Sequence, residues 1–106
     1  MEVLTVNEEM LLIIIWKLKD EAYGFPILKK VMEATNRKTA YGTIYNTLDN
    51  MAKKGLLKVY KGSPTSERGG KSKVYYSITD KGKLALQRAK EFHISLWDEI
   101  SDLAVE

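Results

Sequence analysis

The chain has 106 residues, is 44% hydrophobic, and carries a net charge of +3 with no cysteine and a single histidine. That size supports one small domain with a thin core, which often gains stability by pairing with another chain. The composition excludes disulfides, thiolate nucleophiles and thiolate metal sites, and a multi-histidine metal centre would have to be shared between subunits. No cofactor or metal is expected, and the cysteine-free composition fits a reducing cytoplasm.

The charge is unevenly distributed. Residues 1–22 and 84–106 each carry a net −3, whereas residues 23–83 carry +9. A basic middle between acidic ends points to one face that meets a polyanion. The longest apolar run, Met10 to Trp16, is too short to span a bilayer, and it follows Glu8 and Glu9 instead of a basic leader. No membrane association is expected.

Thr5-Val6-Asn7-Glu8 has the form of a capping box and opens a first helix that is expected from Val6 to Asp20. Leu11, Leu12, Ile13, Ile14, Ile15, Trp16 and Leu18 cover most of its circumference, so a second chain is expected to cover part of it, at Leu11 and Ile15. Pro26 suits the first turn of a second helix running to about Ala34. A basic loop follows, and Thr39 is the expected N-cap of a third helix over 40–54.

The third helix has apolar residues at Ile44, Leu48, Met51 and Ala52, and Gly55 ends it. Its other face carries Thr43, Asn46, Asp49, Asn50 and Lys53, all able to form hydrogen bonds. Such a helix fits the major groove of DNA, although an ordinary amphipathic surface helix shares the pattern. Leu57 to Tyr60 alternates as a strand, Gly62 to Ser72 reads as a loop, and Val74 to Ile78 reads as the returning strand. Thr79-Asp80 caps a fourth helix. The order is helix, helix, helix, strand, loop, strand, helix. It predicts a mainly α (α+β) winged helix-turn-helix with a two-stranded wing. Residues 1–79 would form the DNA-binding domain, and residues 80–106 a C-terminal dimerisation helix packed with the first helix.

A recognition helix contacts bases mostly from its N-terminal turns, which selects Tyr41, Thr43 and Asn46. Asn46 has the geometry to pair with adenine, and Thr43 to meet a base edge or a thymine methyl. Lys38, Tyr45, Lys53, Lys54, Arg68, Lys71, Ser72 and Lys73 are the expected phosphate contacts.

In the last helix, Leu86, Ala89, His93, Leu96, Ile100 and Leu103 repeat at spacings of three and four, a coiled-coil seam. The seam is too short to stand alone and calls for an intertwined dimer with the first helix. Two copies of His93 close together in such a dimer would repel on protonation, which predicts loosening at mildly acidic pH.

These motifs resemble the PadR family of bacterial and archaeal transcriptional regulators, in its smaller branch with a single C-terminal helix. The matching pieces are Tyr23-Gly24, Gly42-Thr43-Ile44-Tyr45 with Leu48, Gly55-Leu56-Leu57, Gly69-Gly70-Lys71-Ser72-Lys73-Val74-Tyr75-Tyr76 and Ile78-Thr79-Asp80-Lys81-Gly82. The resemblance covers residues 8–100. It implies a homodimeric repressor on a palindromic operator of double-stranded DNA, with the third helix reading bases and wing 62–73 on the backbone or minor groove; such a protein is expected in the cytoplasm, associated with the nucleoid. Some family members bind flat aromatic or cationic compounds between their C-terminal helices. A small aromatic ligand is therefore expected at Trp16, Phe92, His93 and Trp97, and would release the DNA.

Two departures stand out. Lys71 and Ser72 follow the paired glycines where the family often has arginines, and lysine lacks arginine's planar fork. Ala40 stands where the family often has serine. The competing readings are a winged-helix protein-interaction module, which the +9 segment disfavours, and a nonspecific nucleic-acid binder. No set of nucleophile, base and orienting group is apparent, so catalysis is not expected.

Overall fold

The reciprocal hydrogen bonds of a capping box start the first helix. Thr5 Oγ1 accepts from the Glu8 backbone N–H at 3.1 Å, and Glu8 Oε1 accepts from the Thr5 N–H at 2.9 Å. The computed structural model describes residues 3–62, 73–100 and 103. Within them the order is α1 (Val6–Leu18), a 3₁₀ turn (Lys19–Glu21), α2 (Gly24–Thr35), α3 (Tyr41–Lys53), β1 (Leu57–Lys61), β2 (Val74–Ile78) and α4 (Asp80–Trp97). This is the winged helix-turn-helix order, mainly α with a two-stranded antiparallel sheet.

α1 ends two residues short of the expected Asp20, because Lys19 takes a positive φ of 54° and turns the chain. The turn brings buried Ala22 and its neighbour Tyr23 against β2. There the Tyr76 N–H donates to the Ala22 carbonyl at 2.8 Å, and Tyr23 bridges Tyr75. α2 closes on Asn36 in the left-handed region, which asparagine tolerates. Thr39 is not the cap of α3. Ala40 holds that position and offers no side-chain oxygen, and its carbonyl takes the Thr43 N–H at 3.2 Å.

The far end of α3 is tightly finished. Gly55, at φ +81°, lets the Leu56 N–H reach the Met51 carbonyl at 2.9 Å and the Gly55 N–H reach the Ala52 carbonyl at 3.0 Å. That pair of bonds is a Schellman motif.

β1 and β2 pair with Leu57 opposite Ile78, Val59 opposite Tyr76 and Tyr60 opposite Tyr75. Thr79 then caps α4, accepting the Gly82 N–H at 3.0 Å while donating to the Gly55 carbonyl at 2.6 Å. Gly82 is buried, and any side chain there would collide with the Leu56 carbonyl and with Ile78.

One core collects Leu11, Leu12, Ile14 and Ile15 from α1, Ile27 and Val31 from α2, and Ile44, Leu48 and Met51 from α3. Ala22, Leu56, Leu57, Tyr76 and Ala85 complete it. Two expectations change here. Leu11 and Ile15 are each only 2% exposed inside their own chain, so they offer no surface to a partner. The open side of α1 is Ile13 and Trp16. α4 also ends at Trp97, so Ile100 and Leu103 lie beyond the helix and do not extend its seam. Asp98 and Glu99 stand at the negative end of the helix dipole, which disfavours another turn, and Glu99 takes a positive φ of 67°. Because Gly82 and Ala85 are buried, the start of α4 packs on the same core as the earlier helices, and the expected division at residue 79 runs through that packing.

Candidate nucleic-acid interface

α3 buries one stripe, Ile44, Leu48 and Met51, and turns the opposite side outward. Tyr41, Thr43, Tyr45, Asn46, Asn50 and Lys53 are exposed. Thr43 and Asn46 are three residues apart, hence on one face, and lie in the first half of the helix. A threonine hydroxyl and an asparagine amide together offer both donors and acceptors to base edges.

The two tyrosines differ from these. The Tyr41 ring lies against Gly24, where a Cβ would come within 3.0 Å of the phenol oxygen, and its centroid is 6.1 Å from that of Tyr45. The Tyr76 hydroxyl is pushed above its usual pKa range, by burial first and by the neighbouring Tyr41 phenol next. Tyr41 therefore ties α3 to α2 and β2 while keeping one edge in solvent.

The predicted phosphate contacts separate into groups. Lys38 is exposed in the turn before α3, beside Arg37, which lines a small cleft with Thr39 and Thr43. Arg37 was absent from the sequence-based set, although its position next to Lys38 marks it as part of the same basic turn. Lys53 is exposed and pairs with Asp49 at 3.1 Å, one helical turn earlier. Lys54 has a partner that the expectation did not include: its ammonium sits 2.8 Å from Oε2 of buried Glu8, while its side chain stays 42% exposed. That pair is internal to the fold. Burial alone would raise the Glu8 pKa, but the Lys54 ammonium and the Thr5 N–H outweigh it, and the net shift is downward.

At the base of the wing, the Lys73 ammonium lies 4.2 Å from the centroid of the Tyr23 ring, a cation–π contact. Tyr23, Tyr75 and Tyr60 form a ladder with centroid separations of 5.4 and 5.6 Å that secures the wing base to the start of α2. Arg68, Lys71 and Ser72 lie outside the described residues.

A family model described as the transcriptional regulator PadR-like family matches residues 11–88. The chain belongs to that family. It is therefore a DNA-binding transcription regulator. A PadR-like transcriptional regulator from Bacillus cereus is 25% identical over 90% of this chain and 87% of its own, with a TM-score of 0.68. A PadR family transcription regulator from Clostridium difficile is 28% identical, covering 88% of this chain and 96% of its own, at 0.64. A transcriptional regulator from Thermoplasma acidophilum shares the fold at 23% identity and a TM-score of 0.63, over 93% and 97% of the two chains. No match was found among curated proteins.

In this PadR-like chain a second surface lies away from α3. α1 and α4 enclose a groove of about 540 Å³ with Ile13, Trp16, Leu86, Ala89 and Ile94 on its walls, and Glu9, Lys83, Lys90 and His93 among its polar edges. Lys19 and Lys83 stand 3.5 and 5.6 Å from the Trp16 ring centroid. Of the four residues predicted for a ligand pocket, the groove unites Trp16 and His93. Phe92 and Trp97 do not line it and are 60% and 58% exposed: Phe92 lies off the face of Leu86, Ala89 and His93, whereas Trp97 shares that face one turn past His93 and stands beyond the end of the groove.

His93 Nε2 meets Glu9 at 2.8 Å and 3.1 Å from its two oxygens. The contact joins α1 and α4 within one chain. Among the described residues no helix is long and apolar enough to cross a membrane.

Proposed function

We propose that this PadR-like protein is a dimeric repressor that binds a palindromic operator. Each chain would place α3 in a major groove and the wing on the backbone or minor groove. The observation that carries this reading is the outward face of α3, where Thr43 and Asn46 are exposed beside each other on the segment that holds the chain's positive charge. Lys38 and Arg37 in the preceding turn, Lys53, and Lys73 at the wing base supply cations for neighbouring phosphates, and Tyr45 adds a hydroxyl.

Pairing of two chains is supported by uncovered apolar side chains on α1 and the second half of α4. Trp16, Phe92, Ile94, Leu96 and Trp97 are each half or more exposed. Isolated monomers rarely leave contiguous apolar surface of this kind open. The groove between α1 and α4 is the place for a small aromatic ligand, and its occupancy would release the DNA.

Selection of bound duplexes from a random library at about 150 mM salt tests the reading, since nonspecific phosphate binding is weakened there. The expected result is an enriched palindrome with half-sites about one helical turn apart. A folded protein that enriches nothing would overturn it and favour nonspecific binding or a protein-interaction module. Repression follows if the selected sequence overlaps a promoter and transcription falls when the protein is added.

A further inference from the structure

The start of α1 carries two consecutive carboxylates that are used differently. Glu9 reaches His93 on α4, whereas Glu8 turns inward and is 4% exposed, the buried charged residue among those described. A capping box needs only an acceptor at this position, and glutamine serves as well as glutamate. It needs neither burial nor a lysine 46 residues away in the chain. Glu8 nevertheless gives Oε1 to the Thr5 N–H and Oε2 to the Lys54 ammonium, at 2.9 and 2.8 Å. Taking a carboxylate out of water is costly unless it is well paired, so this arrangement is strongly directional.

Lys54 is the C-cap of α3. Its side chain reaches α1, and its backbone carbonyl accepts the Lys81 ammonium from α4 at 2.6 Å. The end of α3 is thereby held from two helices at once. The opposite end has no side-chain cap; there Tyr41, against Gly24 and Tyr76, joins the apolar stripe of Ile44, Leu48 and Met51 in seating α3. Apolar contacts are not directional. They leave rotation of a helix about its axis less sharply defined than an ion pair does. Base contacts from Thr43 and Asn46 depend on that rotation.

We infer that Glu8 is a positioning residue for DNA reading: through Lys54 it sets the rotation of α3 that aims Thr43 and Asn46 at base edges. This rests on the reading of α3 as the recognition helix. It assigns Lys54 to Glu8 instead of to a phosphate, and the two assignments predict opposite outcomes.

The experiment compares the full-length chain with Glu8→Gln and Lys54→Gln on the selected operator and on a scrambled duplex of equal length, across a salt series. Thermal melting is recorded for each protein. Glu8→Gln keeps the capping acceptor and removes the charge that holds Lys54. The inference predicts that it lowers operator affinity about tenfold, the scale of one misaligned base contact, with no loss on the scrambled duplex. Lys54→Gln should have the same selective effect and leave the salt slope unchanged. In Glu8→Lys combined with Lys54→Glu, part of the operator preference should return. If Glu8→Gln melts below the assay temperature, Lys54→Gln carries the test, because its side chain is 42% exposed and the substitution retains a hydrogen-bond donor.

The inference is overturned if Glu8→Gln tightens both duplexes by freeing a cation. It is also overturned if Lys54→Gln weakens both equally and reduces the salt slope by about one, the signature of a phosphate contact. Unchanged operator preference in both variants overturns it as well. A parent protein that shows no operator preference refutes the recognition-helix reading itself, and positioning by Glu8 with it.

Discussion

The two halves of α4 have the same helical geometry and opposite relations to their own chain. From Asp80 to Ala89 the helix is clasped to the end of α3. Thr79 caps it while bonding Gly55, Lys81 reaches the Lys54 carbonyl, and Gly82 and Ala85 are buried. From Lys90 to Trp97 every residue is exposed, although four of the eight are Phe92, Ile94, Leu96 and Trp97. The first half is packed on the end of α3 and on β2. The second projects exposed apolar side chains, and the hydrogen bond between His93 and Glu9 ties it back to α1. A single chain therefore packs the first half of α4 and leaves the apolar side chains of the second half exposed.

The largest effect should come from breaking the second half. Leu96→Asp with Trp97→Asp puts charges into the uncovered surface. It should convert a dimer to a monomer and lower operator affinity about a hundredfold or more, through loss of the second half-site. Sedimentation and operator titration check this; the monomer should keep the parent's circular dichroism but melt at a lower temperature that no longer depends on protein concentration, because pairing no longer stabilises the folded chain. A variant that remains dimeric with full affinity would show that pairing uses another surface.

Breaking the first half should do the reverse. Gly82→Ala forces a Cβ against the Leu56 carbonyl and should cost about 1–3 kcal/mol of stability, read by thermal or denaturant unfolding. Its mass in solution should not change under conditions where it stays folded. An unaltered unfolding curve would mean that α4 does not need this close approach.

The smallest effect is electrostatic and sharpens the description of the clasped region. The Glu8 pKa is lowered in the folded chain, so its ionised form contributes stability above the unfolded-state pKa. That contribution is lost as pH falls through the lowered folded value. The stability difference between the parent and Glu8→Gln should be full near neutrality and shrink below the usual carboxylate range. A difference independent of pH would assign the effect to packing instead of charge.

Much of this architecture is legible in the residues. The β-branched and aromatic run Val74 to Ile78 forms the strand with its expected bounds, and the Thr5 and Thr79 caps begin their helices as expected. The orientation of α1 is not legible. It is apolar nearly all round, so periodicity does not say whether Leu11 and Ile15 or Ile13 and Trp16 face inward. The end of α4 misleads for a different reason. Hydrophobic spacing continues to Leu103, but spacing carries no information about the acidic residues that disfavour a further helical turn. Lys54 reads as a phosphate contact because its partner lies 46 residues away, and such pairing emerges only once α1 and α3 are packed. Thr43 and Asn46 are found exposed where a recognition face needs them, since the stripe of Ile44, Leu48 and Met51 determines which side of α3 turns outward.

The most direct test of the account is operator selection repeated with Asn46→Ala alongside the parent. If α3 reads bases from two paired chains, the parent enriches a palindrome. The variant then loses preference at one base pair in each half-site, at symmetry-related positions, by about 1–3 kcal/mol per contact. Identical enriched sequences from the two proteins would contradict base reading by Asn46, and a change at a single unpaired position would contradict the two-fold arrangement.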